Sequence, residues 1–398
     1  MVRSERRKRP RADRGNSSAS RLGYRAELDG LRGVAIILVL LAHEFDWPKG
    51  GFIGVDMFFA LSGFLITTLL LEEWIAHGSI SLRDFYLRRY FRLFPALAVM
   101  LAIYVVYVLL FVNSDVATRL WGAVFGISYT ANLAQAFMRF PNVLTDTGYL
   151  WTLGIEEQFY LLWPIVLILL LNRGLGLRGT KWVLFGMIVA VIAWRNLLIA
   201  HGADPNRAYF GTDTRFDELL VGCLAGTFYV ARGAARSLPR WLIATAAVGA
   251  GLFLGYRIFK HNQWTTWTVR ITLTFVAVAT AIVIYSCVTD SFPVLKRALS
   301  VKWLVFTGMI SYSLYLWHVP TYFFLRDVAG LTGWRLHVAH FALAFAAACA
   351  SYFLVERTFL SRRRAHQRLS ATKAELEQGP ASSNGPASNL SGSPIEPA

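Results

Sequence analysis

An arginine and a histidine eleven residues apart in an otherwise apolar run are the first residues of this chain that could do chemistry. They are Arg32 and His43, in the stretch Glu27-Leu28-Asp29-Gly30-Leu31-Arg32 through His43-Glu44. At about 1.5 Å rise per residue, a helix sets the two side chains roughly 16 Å apart along its axis. That is about half of a hydrocarbon core of ~30 Å. Ionisable groups inside a membrane helix are costly and mark functional sites by default. Histidine is also the natural general base near neutral pH. Glu44 and Asp46 follow closely and could orient or charge it, although adjacent helical positions do not share a face. The plain alternative is an anchoring arginine with a packing histidine.

Four further stretches carry polar groups in apolar surroundings. In Gly54-Val55-Asp56 through Ser62-Gly63-Phe64, Asp56 must be paired or hydrated, and the small residues allow close helix approach. In Arg88-Arg89-Tyr90-Phe91-Arg92, Arg89 and Arg92 share one helical face. Their planar forks suit a phosphorylated ligand, whereas the bland reading is orientation by positive charge. In Trp151-Thr152 through Gln158-Phe159-Tyr160, the adjacent carboxyls Glu156 and Glu157 are hard to explain as packing. The last group joins Thr214-Arg215-Phe216-Asp217-Glu218 to Ser311 through His318-Val319-Pro320. Arg215, Asp217 and His318 are pore or acceptor candidates there. Pro320 frees backbone groups that must line protein or water. Glu356 reads as structural.

The elements that must position these groups are membrane helices. The chain has 398 residues, is 55% hydrophobic and has a mean hydropathy of +0.45. Continuous apolar runs exclude an alternating outer-membrane barrel. Eleven apolar candidates fall near 30–46, 52–75, 93–112, 119–137, 149–171, 181–200, 217–231, 240–259, 268–289, 301–325 and 336–359. The 119–137 run is short and broken by Gly122, Gly126, Ser128, Thr130, Asn132 and Gln135. If it does not cross, 29 of the 40 Lys and Arg lie on the cytoplasmic side, against 23 if it does. Basic residues favour short cytoplasmic loops. The expected fold is therefore an all-α polytopic membrane protein of about ten spans, with a re-entrant or short extra helix near 119–137. Both termini are expected in the cytoplasm and the chain in the inner (plasma) membrane. A basic tail over 1–24 and a polar tail over 362–398 are expected to be disordered, flanking a transmembrane domain over 25–361. The sequon Asn389-Leu390-Ser391 then lies on the wrong side for glycosylation.

The net charge of +16 does not imply nucleic-acid binding. Ten basic residues lie in 1–32 and six in 357–373, flanking apolar segments, where anionic lipid is the expected partner. Cys223, Cys287 and Cys349 lie in apolar segments without metal-ligand spacing, so no disulfide framework and no metal site is expected. The first helix lacks a small-residue cleavage site and reads as a retained anchor. No P-loop, dinucleotide fingerprint, His-Glu-x-x-His motif or serine elbow is present.

At these residues the chain resembles the acyltransferase 3 family of integral-membrane O-acyltransferases, from about Tyr24 to Leu360. The resemblance rests on Leu28-Asp29-Gly30-Leu31-Arg32 with His43, Gly54-Val55-Asp56 through Ser62-Gly63-Phe64, Arg89-x-x-Arg92 ahead of Pro95, Trp151 through Tyr160, and Ser311 through His318, all in order. It implies ten core helices, acyl-coenzyme A as donor substrate with no permanently bound cofactor, and hydroxyl acceptors on extracytoplasmic glycans, lipids or small molecules. On that reading Arg32, Arg89 and Arg92 hold the donor. His43 acts as base or is itself acylated, and Glu156 or Glu157 orients the acceptor or fixes the His43 tautomer. Position 152 is Thr where relatives often have Ser. Many relatives also carry an SGNH hydrolase-like domain, whereas only a short polar tail follows Leu360 here, so a relay would need a separate SGNH-type protein. Two other readings stand beside this one: acylation of a small metabolite such as a macrolide, and a transporter or flippase of a glycolipid that makes no bond.

Overall fold

The computed structural model describes residues 22–137, 146–234, 238–260 and 267–361. The expected tails over 1–24 and 362–398 therefore lie almost entirely outside the described residues, as does the sequon.

The helices run α1 Ala26–Phe45, α2 Gly54–His77, α3 Leu82–Phe111, α4 Val116–Ile127, α5 Ala131–Phe137, α6 Trp151–Asn172, α7 Gly176–Ala200, α8 Pro205–Phe210, α9 Thr212–Val230, α10 Arg240–Lys260, α11 Leu273–Val288, α12 Pro293–Leu299, α13 Lys302–Met309, α14 Ser311–Asp327 and α15 Gly333–Ala350. Short π-helical turns, Thr268–Thr272 and Ser351–Glu356, lead into α11 and prolong α15. There is no strand among the described residues.

Among the described residues, seven helices are long and apolar enough to cross a membrane: α2, α3, α6, α7, α10, α11 and α15. Three more have the length, at 1.5 Å per residue, but carry charges or a break. They are α1 with 20 residues, α9 with 19 residues, and the α13–α14 pair interrupted at Ile310. The polypeptide is thus a multi-pass all-α membrane protein, and these three complete the ten expected spans. The single run expected at 301–325 is two helices, because the chain turns at Ile310 and restarts at Ser311.

The 119–137 stretch is also two helices, α4 of 12 residues and α5 of 7 residues. Neither is long enough for a core of ~30 Å. They break at Tyr129, whose φ is 55°. Arg119 on α4 pairs with buried Asp146, which also accepts from the Tyr104 hydroxyl at 3.2 Å. This short pair is therefore fastened to α3 and to the segment before α6.

Burial separates the centre from the periphery. In the crossing windows of α2 and α11, 83% and 72% of positions are buried, against 17% for α7 and 22% for α10 and α15. Among the described residues, the most extensive packing is that of α2 on α9. A Cβ at Gly63 would lie 1.9 Å from the Leu219 carbonyl oxygen, and one at Gly222 would lie 2.1 Å from that of Ala60. Two glycines thus bring the backbones together, as small residues do at membrane-helix interfaces. Gly222→Ala is expected to force α2 and α9 apart and to destabilise the bundle by about 1–3 kcal/mol, as overpacking does. A thermal unfolding midpoint in detergent that matches the parent would show that the crossing has slack.

Candidate active site

Two cavities meet inside the bundle. The first is narrow, about 60 Å³, and is lined by Arg32 of α1, Arg89 and Arg92 of α3, and Glu156 and Tyr160 of α6. The expected i, i+3 arginine pair does share one face. Arg88 points elsewhere, to Glu73 at 3.2 Å. The Arg89 guanidinium lies 4.8 Å from the Tyr160 ring centroid, a cation–π distance. Glu156 accepts from the Ser62 hydroxyl at 2.7 Å, so Ser62 does more than permit close packing. Three guanidinium groups against one carboxylate leave this cavity with a surplus of hydrogen-bond donors and positive charge.

The second cavity is larger, about 390 Å³, and holds His43, Glu44, His318 and His340 among Tyr149, Trp151 and Tyr209. Val55 and Tyr315 line both cavities, so the two abut there. Tyr315 is fixed at the junction. Its hydroxyl donates to the Tyr149 carbonyl and accepts from the Thr152 hydroxyl at 2.7 Å. A serine at 152 would supply the same hydroxyl, which is why the Thr departure is mild.

His43 and His318 face each other with ring centroids 5.2 Å apart. The His318 Nδ1 lies 2.6 Å from the Tyr315 carbonyl oxygen. A carbonyl only accepts, so Nδ1 carries the hydrogen and, in the neutral ring, Nε2 keeps its lone pair. That Nε2 is buried and unpaired. His43 is likewise hydrogen-bonded to the backbone of Val39 one turn earlier. Pro320 has the expected consequence. It cannot donate to the Leu316 carbonyl, and the Tyr149 hydroxyl fills that acceptor at 2.6 Å.

Several sequence candidates lie elsewhere than expected. Glu156 lines the arginine cavity, not the histidine cavity. Glu157 lines a third cavity of about 420 Å³ with Tyr129 and Gln158. Neither carboxyl lines the cavity of His43, so neither is placed to set its tautomer. Adjacent helical residues point about 100° apart, which sends the two to different cavities. Asp56 is buried and paired with Arg215 at 2.6 Å, and Arg215 also meets Glu218 at 3.0 Å. The Arg215 guanidinium lies 4.8 Å from the Tyr209 ring and 5.4 Å from that of Trp151. Asp56 and Arg215 therefore stand behind the aromatic wall of the histidine cavity. Asp217 lines neither cavity. Both its oxygens face Arg195, at 2.9 and 3.1 Å, and it accepts from Thr274.

Sequence reasoning missed Tyr149, Tyr315, Arg195 and the partners of Glu44. The Glu44 carboxylate lies 2.5 Å from Nδ1 of His337 and 2.5 Å from Nδ1 of His340. The available signal was His337 and His340 themselves, three apart on one helical face. Among the described residues, no three His, Cys, Asp or Glu side chains are grouped so that they could hold a metal ion.

A bundle whose charged helices carry an arginine cavity and a histidine cavity in contact agrees with what the sequence resembles. The acyltransferase-domain model of the acyltransferase 3 family matches residues 25–356, and the chain belongs to that family. The peptidoglycan O-acetyltransferase OatA of Listeria monocytogenes is 33% identical over 350 residues, which is 84% of this chain and 55% of its own length. A putative peptidoglycan O-acetyltransferase of Bacillus subtilis, YrhL, is 35% identical over 312 residues, 75% of this chain and 48% of its own length. The O-acetyltransferase OatA of Staphylococcus aureus is 32% identical over 345 residues, 84% of this chain and 57% of its own length. The chain thus spans about half the length of these relatives. No solved structure matches it.

Proposed function

We propose that this chain is a membrane O-acyltransferase that moves an acetyl or other short acyl group from acyl-coenzyme A to a hydroxyl of a cell-wall glycan. The observation that carries this is the contact of the arginine and histidine cavities at Val55 and Tyr315. The relatives supply the glycan: two are peptidoglycan O-acetyltransferases, one of them putative.

On this reading the phosphates of coenzyme A dock against Arg89, Arg92 and Arg32, whose forks match phosphate oxygens. The arginine cavity is too narrow for a nucleotide, so only the pantetheine arm threads past Tyr315. Positive charge then marks the cytoplasmic mouth, in keeping with the distribution of Lys and Arg. The thioester meets the acceptor beside His43. The Nε2 of His43 takes the hydroxyl proton while the acceptor oxygen attacks the thioester carbonyl. The C–S bond breaks, the new ester forms, and the proton passes to the departing sulfur, so the step is balanced without a co-reactant.

Arg89→Ala combined with Arg92→Ala is expected to raise the apparent KM for acetyl-coenzyme A at least tenfold, with a smaller change in kcat. The measurement uses the full chain in proteoliposomes with a soluble peptidoglycan fragment as acceptor. An unchanged donor dependence removes the assigned role of the pair. The parent protein should add one acetyl mass to the fragment. Relocation of an unmodified compound would instead favour the transporter.

A further inference from the structure

On the periphery of the bundle lies an apolar groove of about 470 Å³, and the reaction above makes no use of it. It shares no lining residue with the arginine, histidine or Glu157 cavities. Helix α7 packs on α9, α9 on α11, and α11 on α10. The groove runs along this row, with exposed Phe185 of α7 and Leu242 of α10 at its rims and buried Val221 of α9 and Ala281 of α11 in its floor. Every lining residue lies within about twelve residues of one shared end, the starts of α7 and α10 and the finishes of α9 and α11. At 1.5 Å per residue that depth is at most ~18 Å, little more than half of a hydrocarbon core of ~30 Å. The same end carries the marks of a membrane surface. Trp182 and Trp241 are each 69% exposed there, as in an interfacial aromatic belt. The flanking segments 173–181 and 231–240 hold six Arg and Lys and no Asp or Glu, whereas the opposite ends, 201–213 and 257–270, hold four against two Asp. Two of the six reach the groove. The Lys181 ammonium lies 4.4 Å from the ring centroid of Phe228, and Arg232 lies within electrostatic range of Tyr285; both rings line the groove. Asp290, just beyond α11, is also near Arg232 but pairs with Lys296 at 2.5 Å. Among the described residues, neither Lys181 nor Arg232 makes an ion pair.

An apolar slot one leaflet deep that ends in two cations fits a molecule with a hydrocarbon chain and an anionic head. We infer that this groove is a binding site for an anionic phospholipid of the bilayer, with one acyl chain along α9 and α11 and the phosphate at Lys181 and Arg232. A free phosphate would answer the cations and leave the apolar slot empty. A zwitterionic lipid would fill the slot but bring a cation of its own beside Lys181 and Arg232. The attraction of basic segments for anionic lipid is general at membrane surfaces; the groove adds a slot for the chain, which a basic tail does not have. The bound lipid would cover the two helices that the protein itself covers least, since 17% of the crossing window of α7 and 22% of that of α10 are buried. A ligand of the folded state stabilises it by mass action, so the lipid should raise the thermal midpoint. None of this depends on the acyltransfer reading.

The test uses the full chain in detergent, titrated with phosphatidylglycerol or with phosphatidylcholine of the same acyl chains. Native mass spectrometry counts the lipids retained, and a thermal melt follows each titration. Phosphatidylglycerol should be retained at least fivefold more than phosphatidylcholine and should raise the midpoint more. Lys181→Gln with Arg232→Gln should remove that preference, and Ala225→Trp, which fills the groove from α9, should lower retention of both lipids. If Ala225→Trp does not fold, the charge variant decides. Phosphatidylglycerol with a photoreactive group in its acyl chain then locates the site. Adducts are expected on Phe185, Leu242 and their neighbours in the groove. Equal retention of the two lipids, a preference that survives the charge variant, or adducts confined to the terminal tails or to other helices would each overturn the inference.

Discussion

Replacing His43 with alanine is expected to lower acyl transfer by about 10²–10⁴-fold, the usual contribution of a positioned general base, while membrane abundance stays at the parent level. His43 lines a cavity of about 390 Å³, so truncating it enlarges a space already present. Its ring touches His318 and makes no ion pair among the described residues, so its removal orphans no charge there. The variant should therefore fold. His43→Gln separates the two possible jobs of the ring: it fills similar space and can hydrogen-bond, but it cannot act as a base near neutral pH. Both variants should lose kcat with little change in donor KM, because the arginine cavity lies on the far side of Val55 and Tyr315. Near-normal product formation by His43→Ala in proteoliposomes would sink the proposal.

The two ends of α1 were legible for a physical reason. An apolar helix with a defined rise fixes axial distance, and Arg32 and His43 do line the two abutting cavities. The arginine pair on α3 was legible in the same way, since i, i+3 spacing fixes a shared face. What sequence could not supply was the rotation of each helix about its own axis. Glu156 and Glu157 were grouped because they are neighbours in the chain, and it is that neighbourhood which sends them to different cavities. The sequence reads Glu44 as a possible orienter of His43 on its own helix, whereas its partner His337 stands 293 residues away. Nothing in a local window announces such a contact. The break at Ile310 was hidden too, because both sides of it are apolar and neither glycine nor proline stands at the turn.

Asp217 shows the same limit, and it leads to a large expected effect on stability. A carboxylate at the start of a membrane helix reads as a ligand for something passing through. Its ligand is instead Arg195 of α7. The two side chains are fully buried and meet through two hydrogen bonds of 2.9 and 3.1 Å. Arg195 also donates to the Thr214 carbonyl at 2.7 Å, the Arg270 carbonyl at 3.2 Å and the Thr274 hydroxyl at 2.8 Å. One guanidinium therefore ties α7, α9 and the π-helical start of α11 together. Arg195→Leu would leave Asp217 buried with only Thr274, and breaking a buried pair in this way costs about 3–5 kcal/mol. The expected result is a sharp fall in thermal midpoint and in the yield of folded protein. Arg195→Leu with Asp217→Leu should recover much of that loss, since replacing a whole buried pair with apolar residues is often neutral or better. The consequence reaches the site through one step of chain. Asp217 lies two residues after Arg215, whose guanidinium backs Tyr209 and Trp151 in the wall of the histidine cavity. The double variant should therefore be stable but slower, with its defect in kcat, because the start of α9 is no longer pinned. If Arg195→Leu alone unfolds at the temperature of the parent, the pair is not the lock that its geometry describes.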